Sequence, residues 1–221
     1  MKRILLTITA LLVAISAAAQ RNASIEEQLR EIRHRDQSIR QNLISSQINS
    51  NIDSLVYYAE QMAKIDAKNQ AYVANLLKTQ GIPADLSEEA YSAIFLVVDH
   101  ADINYQRRYF KPLKRAAKEG KFKPSQINTL HDRIMMGSNR RQLYGTQTQS
   151  HTTIIEGEPT PQQLIYVWPV RRAHTIDARR QRTGLSSMES QAKVIEEVTK
   201  GKVIWDRKLS IKEVKKLLQA K

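Results

Sequence analysis

The chain has 221 residues and contains no cysteine, three phenylalanines and two tryptophans. Without cysteine it can form no disulfide, thiolate zinc site or iron–sulfur cluster, and it has no cysteine nucleophile. So few Phe and Trp side chains leave little surface on which nucleic-acid bases could stack. The sequence also lacks a P-loop, a Gly-x-Ser-x-Gly elbow and a His-Glu-x-x-His motif, and it predicts no cofactor and no bound metal.

Long apolar runs are also missing. The one short run, residues 4–15, follows the basic pair Lys2-Arg3 and precedes the small residues Ala17–Ala19. This order is typical of a secretory signal peptide cleaved after Ala19, and about a dozen apolar residues are too few to span a bilayer stably. We therefore expect a leader over residues 1–19, no stable membrane insertion after its removal, and a mature protein that is periplasmic or secreted, most simply in a Gram-negative envelope.

Acidic residues are scarce, because 22 Asp and Glu face 35 Lys and Arg and leave a net charge of +13. The basic residues are concentrated in residues 105–141 and in the tail from Lys202 to Lys221. Such clusters attract phosphate polymers, but an exported protein with few aromatic residues is not expected to bind nucleic acid. The simplest interpretation is a solvated basic surface, and the alternative is attraction to anionic surfaces of the cell envelope.

Helical patterns dominate the chain. Residues 24–80 contain no glycine or proline, and their apolar residues recur at three- and four-residue steps. This predicts two or three amphipathic helices, the first of them starting at a capping box at Ser24. Cap or first-turn signals at Ser87, Asp102 and Pro124 predict three further helices.

Between residues 141 and 168 the pattern changes to alternating β-formers. Three short strands are predicted, over 143–148, 152–155 and 164–168, with a loop at 157–161. Helical patterns resume near Ile176 and near Ser210, the second within a basic C-terminal helix over about 208–221. The predicted fold class is mainly α (α+β), with a single helical domain over residues 20–221 and a small antiparallel β insert around residues 141–168.

The candidate catalytic residues, should the protein be an enzyme, are His100 and Asp132. A histidine can take up or release a proton near neutral pH, so His100 could act as a general base with Asp132 or Asp177 as its partner. The simpler interpretation is that His100 ends one helix and Asp102 caps the next. Asp36 and Arg40 have the i, i+4 spacing of a modest surface ion pair.

Neutral polar residues occur together at 142–147. On a strand, Gln142, Tyr144 and Thr146 would share one face, and such groups orient a polar ligand rather than supply a strong base. The alternative is a polar edge strand. Arg180 could clamp a carboxylate or phosphate, or could tie two helices together. The candidate ligand-binding residues are Arg133, Gln142, Tyr144, Thr146, Gln147, Asp177 and Arg180.

Short polar motifs follow one another along the chain: Asp36-Gln-x-x-Arg40, Ile65-Asp66-x-x-Asn69, Gly81-x-Pro83, His100-Ala-Asp102 with Gln106, Leu130-x-Asp132-Arg133, Gln142-x-Tyr144-Gly-Thr-Gln147, and Ile176-Asp177-x-Arg179-Arg180 with Gly184-Leu185. In this order they resemble an uncharacterised bacterial family that is recognised by its Tyr-Gly-Thr-Gln box. The resemblance covers about residues 25–190. It implies a shared polar site and no particular activity, and the residues expected to build that site are His100, Asp132, Arg133, Tyr144, Gln147 and Arg180.

Three classes of function fit these patterns. The first is a binding or interaction module for a small polar or anionic ligand, which needs no nucleophile. The second is a hydrolase with His100 as general base. Its metal-dependent version follows from the order His100, His131-Asp132, Asp177, which resembles that of helical phosphohydrolases. The third is a structural envelope protein whose polar residues hold helices together.

Overall fold

The computed structural model of the protein describes residues 2–154 and 160–219, with side chains for residue 20 and from residue 22 onward. Within it the chain divides into two compact units, Met1–Ala101 and Asp102–Lys221. Most of the loop predicted at 157–161 and the side chains of the predicted leader lie outside the described residues. The prediction of one domain over residues 20–221 stays a prediction.

The first unit consists of three helices: α1 (Lys2–Ile48), α2 (Ile52–Thr79) and α3 (Glu88–His100). Two helices therefore cover the region without glycine or proline. The predicted helix start at Ser24 is wrong, because Ser24 lies inside α1. The alanine-rich sequence before it favours the helical state and contains no residue that would stop a helix. Ser87 caps α3 as predicted, and its side chain accepts a hydrogen bond from the Ala90 N–H.

The core of the first unit lies where α1 meets α2 and α3. The α1 stripe is buried at i, i+3 and i+4 steps through Leu29, Ile32 and Ile39. Val73 and Leu76 of α2 are buried as well. Helix α3 is apolar on most sides. Its buried apolar residues are Ala90, Tyr91, Ala93, Ile94, Phe95, Val97 and Val98.

The second unit is also mainly helical. Its α-helices are α4 (Ile103–Lys118), α5 (Pro124–Gly137), α6 (Ile176–Gln181), α7 (Met188–Thr199) and α8 (Ile211–Gln219), and a 3-10 turn at Ala173–Thr175 leads into α6. Asp102 caps α4 as predicted, because its carboxylate accepts from the backbone N–H groups of Asn104 and Tyr105. Pro124 occupies the start of α5, also as predicted.

A small sheet accompanies these helices. Its strands are β1 (Thr148–Thr153), β2 (Gln162–Val167) and β3 (Lys202–Ile204), in the order β1-β2-β3. β1 and β2 are antiparallel, whereas β3 pairs parallel with β2, so the sheet is mixed rather than purely antiparallel. The predicted fold class, mainly helical with a small β insert, is confirmed.

The strand predicted over 143–148 is wrong, because β1 begins only at Thr148. The preceding residues form a loop with one isolated bridge, between Gln142 and Val170. Two buried clusters support the sheet: one contains Val167, Val170, Ile176 and Met188, and the other contains Tyr166, Trp168 and Val214. Among the described residues, no helix is both long enough and apolar enough to cross a membrane.

Candidate functional site

Residues 142–147, called the 142–147 loop below, are wrapped around one buried carboxylate. Asp132 of α5 has no exposed surface and accepts hydrogen bonds from the backbone N–H groups of Leu143 at 2.7 Å and Tyr144 at 2.9 Å. The backbone N–H and the hydroxyl of Thr146 complete the set at 3.3 and 3.2 Å. These N–H groups point inward to Asp132 and cannot pair with a strand, which explains why the alternating sequence forms a loop here.

Gln142 closes this loop from its other end. Its side chain is fully buried, donates to the Gln147 carbonyl at 3.0 Å and also to the Trp168 carbonyl, and accepts from the Gln147 N–H at 2.9 Å. The amide thus satisfies buried backbone groups that would otherwise lack partners. The Gln142 side chain therefore fixes the conformation of the loop, and the assignment of Gln142 and Gln147 as ligand-binding residues stays a prediction.

Two consecutive arginines of α6 bind the carbonyl groups of the same loop. Arg179 donates to the Leu143 carbonyl through both Nε and Nη2, and Arg180 donates to the Tyr144 carbonyl through Nη1. Arg180 is 1% exposed, and its other N–H groups reach the Ser186 carbonyl and the Gln191 side chain. Burial lowers the pKa of Arg180, an effect that the nearby carboxylates counteract in part.

Gly145 is required at the centre of the loop. Its φ of +68° is a left-handed conformation, and an added Cβ would lie 2.7 Å from Met188 Sδ and 2.9 Å from Ile176 Cδ1. Its carbonyl accepts from the Gln191 side chain at 3.0 Å. The loop therefore packs directly on the core without a side chain at this position.

A concave site opens beside this loop. This arginine pocket has a volume of about 470 Å³ and is lined by Leu143, Arg171, Arg172, Thr175, Ala178, Arg179 and Arg182. Four of the seven lining residues are arginines and none is acidic. A volume of this size falls within the range of small-molecule sites.

Arg179 is held rigidly within the arginine pocket. Besides the Leu143 carbonyl, its guanidinium binds the carbonyls of Arg171 and Arg172 at 2.8 and 3.0 Å and the Thr175 hydroxyl at 2.6 Å. All five N–H groups of the side chain are thereby used. Burial lowers the pKa of Arg179, although the nearby Tyr144 and Asp132 act in the opposite direction.

The remaining three arginines of the pocket differ from Arg179. Arg171, Arg172 and Arg182 are exposed, and within the part of the chain that the structure describes none of their side chains has a hydrogen bond or an ion pair. Among the residues that the structure describes, no carboxylate forms an ion pair with them. The pocket therefore combines one cation whose N–H groups are all hydrogen-bonded with three exposed cations.

A family model covers all of these segments of the chain. The family model for DUF6624, a family of unknown function, matches residues 23–204, which is most of the chain. The chain belongs to the DUF6624 family. No curated protein and no solved structure matches this DUF6624 protein. The predicted resemblance to a family of unknown function is thus confirmed.

The first unit contains a separate polar cluster, the Asp36 network, made of Asp36, Arg40, Asp66 and His100. Asp36 is 1% exposed, and the Arg40 guanidinium lies 3.2 Å from it and 2.8 Å from Asp66. The spacing Asp36 to Arg40 had suggested a modest surface pair. That prediction is wrong, because the next turn of the apolar α1 stripe carries Asp36 into the helix interface.

His100 completes this network at the end of α3. Its Nδ1 lies 3.0 Å from Asp36 Oδ1 and 2.8 Å from Arg40 Nε. Nδ1 can donate to the carboxylate or accept from the guanidinium, but not both, so the protonation of the ring decides its partner. Burial alone would raise the pKa of Asp36, but the hydrogen bond and charge of His100, together with Arg40, hold it below its ordinary value.

The structure places the predicted site residues in two settings. In the second unit it brings together Asp132, Gln142, Tyr144, Thr146, Gln147 and Arg180 around the 142–147 loop. Asp177 accepts from the Met188 N–H at 2.8 Å, and the half-buried Arg133 follows Asp132 on α5. In the first unit, the carboxylate on His100 Nδ1 is Asp36, where the sequence had suggested Asp132 or Asp177.

Sequence reasoning missed the cations of the arginine pocket. The signal was present, because Arg171-Arg172 and Arg179-Arg180 are paired and Arg182 follows at once. The Asp36 network also had a signal, namely a carboxylate at a position that continues the apolar stripe of α1. Among the described residues, no group of three His, Cys, Asp or Glu side chains is arranged to hold a metal ion.

Proposed function

We propose that this DUF6624 protein binds a small anionic ligand in the arginine pocket. The observation that carries the proposal is a pocket of about 470 Å³ lined by three exposed arginines that form no ion pair with any described carboxylate. Arginine guanidinium groups match carboxylate and phosphate oxygens in a bidentate geometry, and an anion would relieve the repulsion among the three cations.

In this proposal the motif residues act by positioning the pocket. Asp132 and Gln142 fix the 142–147 loop, and the loop places the Leu143 carbonyl where it binds Arg179. Arg180 holds the next carbonyl from the buried side. Pre-organisation of this kind strengthens binding because less conformational freedom is lost when the ligand arrives. The arginines that line the pocket supply positive charge and N–H donors, which are the groups that a binding module for an anion needs.

The test is calorimetric titration with inorganic phosphate, pyrophosphate and citrate at constant ionic strength. We expect the variant Arg171→Gln/Arg172→Gln/Arg182→Gln to lose at least about tenfold in affinity for the anion that binds. The matched control, Lys212→Gln/Lys215→Gln/Lys216→Gln on α8, removes equal charge and is expected to change affinity less than about twofold. Equal losses in both variants, or no binding of any of the three anions, would overturn the proposal.

A hydrolase is the second candidate, and the hydrogen bond between Asp36 and His100 favours it. A carboxylate on Nδ1 orients the imidazole and would stabilise its protonated form while Nε2 accepts a proton. Chromogenic carboxylic and phosphoric esters test this candidate. Turnover should fall at least about 100-fold in His100→Gln. If His100→Gln retains full turnover, or if no ester is hydrolysed, His100 is not a general base for these substrates.

We also propose that the protein is exported to the periplasm or beyond. The support is the sequence order of Lys2-Arg3, the apolar residues 4–15 and the small residues Ala17–Ala19. Fractionation of expressing cells with N-terminal sequencing of the product tests it. A mature chain that starts at Gln20 is expected, and an intact Met1 start in the cytosolic fraction would contradict export.

A further inference from the structure

Helix α4 carries a stripe of basic residues that the proposed function does not use. The helix contains no aspartate or glutamate. Its basic residues are Arg107, Arg108, Lys111, Lys114, Arg115 and Lys118, and all six are exposed. At 100° per residue they fall within an arc of about 120° and extend along about 17 Å of the helix. We call this surface the α4 stripe.

The opposite side of α4 fixes the direction in which the stripe points. Gln106, Leu113 and Ala116 are buried on that side, and the tyrosines at 105 and 109 pack against one another with ring centroids 4.6 Å apart. A helix anchored in this way cannot rotate its charges away from solvent. The α4 stripe is therefore a stable feature of the surface.

The charges of the α4 stripe are not paired with acidic groups. Arg107 donates to the Ser138 hydroxyl at 2.8 Å, and the Lys114 ammonium lies 5.8 Å from the Phe110 ring centroid. Across residues 2–154 and 160–219, no ion pair joins any of the six side chains to a carboxylate. Six like charges along about three turns of the helix repel one another, so an anionic partner would be stabilising.

We propose that the α4 stripe is a peripheral docking surface for an anionic lipid bilayer. The charges all face one side of the helix, which suits a flat surface, whereas a helix in a nucleic-acid groove has phosphates on both flanks. The stripe contains no large apolar side chain, so it would lie at the headgroups without inserting. Basic residues near an anionic bilayer contribute roughly fivefold each to the binding constant.

The test is co-sedimentation of the full chain with vesicles of phosphatidylcholine mixed with phosphatidylglycerol, whose anionic headgroups give the bilayer a negative surface potential. We expect binding to these vesicles, weaker binding at higher salt, and none to pure phosphatidylcholine. The variant Arg108→Gln/Lys111→Gln/Arg115→Gln should bind about 100-fold more weakly. The three substituted positions are exposed, so the variant is expected to fold, and its circular dichroism spectrum is the check.

The control is again Lys212→Gln/Lys215→Gln/Lys216→Gln, which removes the same charge from α8. It should bind vesicles within about threefold of the unaltered protein. If both variants lose the same affinity for the vesicles, binding depends on net charge alone and the proposed role of the α4 stripe is overturned. Tighter binding to a DNA duplex than to the anionic vesicles would assign the stripe to nucleic acid and also overturn the proposal. Neither outcome depends on the arginine pocket, because α4 contributes no residue to it.

Discussion

The Asp36 network of the first unit and the 142–147 loop of the second use buried charges in different ways. In the network, Asp36 meets other charged side chains, Arg40 and His100, at 3.0 to 3.2 Å. In the loop, Asp132 meets backbone N–H groups, and Arg179 and Arg180 meet backbone carbonyls. The first arrangement responds to protonation, because the Asp36 carboxylate takes up a proton in acid, at a pKa that burial raises but that His100 and Arg40 hold below its ordinary value. In the second arrangement the charged side chains bind backbone groups, and these hydrogen bonds hold the 142–147 loop in one conformation.

This difference assigns distinct roles to similar residues. A carboxylate bound to backbone N–H groups acts as part of the architecture and supports the neighbouring arginine pocket. A carboxylate bound to a histidine and an arginine is suited to acid–base behaviour. Replacing each aspartate by the isosteric asparagine is therefore expected to give losses of stability that differ in size and in pH dependence.

The largest effect is expected for Asp132→Asn. The amide NH2 would replace one carboxylate oxygen and would face either the Leu143 N–H or the N–H groups of Tyr144 and Thr146, so that buried donors would lose their acceptor. We expect the second unit to lose about 3 to 5 kcal/mol in free energy of unfolding. Urea unfolding followed by tryptophan fluorescence measures it, because both tryptophans, Trp168 and Trp205, lie in this unit.

The control for this prediction is Asp206→Asn, an exposed carboxylate that accepts from the Lys208 N–H. It should change the free energy of unfolding by less than about 1 kcal/mol. A loss below about 1 kcal/mol in Asp132→Asn would show that water replaces the carboxylate and that the loop does not depend on it.

A smaller loss is expected for Gly145→Ala. The added methyl group would collide with Met188 and Ile176. The alanine backbone would also have to keep a positive φ, which is unfavourable for a residue with a Cβ. We expect a loss of about 2 kcal/mol. Gly184→Ala is the matched comparison, since Gly184 has a φ of +74° but no atom within 4 Å of a built Cβ. If the two variants lose the same free energy of unfolding in the urea assay, the contacts of the added methyl group with Met188 and Ile176 do not contribute to the loss at Gly145.

The smallest effect, and the one with a pH signature, is expected for Asp36→Asn. The pKa of Asp36 lies below its ordinary value of 3.8, so the stabilisation is present above pH 3.8 and is lost as the pH falls through the lower folded value. We expect a loss of about 1 kcal/mol at pH 7 that shrinks as the pH falls below 4. Thermal unfolding by circular dichroism between pH 2.5 and 7, with steps of roughly half a unit, measures it.

Glu60→Gln is the control for this pH profile, because it removes a charge from an exposed position on α2. Its stability should run parallel to that of the unaltered protein across the acid range. A constant difference between Asp36→Asn and the unaltered protein at every pH would contradict the assignment of the Asp36 network as an acid-sensitive element of the first unit.

Much of the fold could be predicted from the sequence because its signals are local. The caps at Ser87 and Asp102, the proline at 124 and the apolar spacing depend on neighbouring residues, and the helices begin where those residues predict. The strand predicted over 143–148 failed for a non-local reason. Its N–H groups are bound by Asp132, which is separated from them in sequence, and alternation of side chains carries no information about that competitor.

The candidate site divides in the same way. The sequence alone selected the residue types and the family, since Asp132, Gln142, Tyr144 and Arg180 occur in recognisable motifs and the family model covers them. Only the tertiary structure showed which groups these side chains bind. It showed that Asp132 and Arg180 bind backbone groups of the loop, that His100 faces Asp36, and that the arginine pocket lies beside the motif. Hydrogen-bond partners are set by distances between segments remote in sequence, and a pattern of neighbours does not contain those distances.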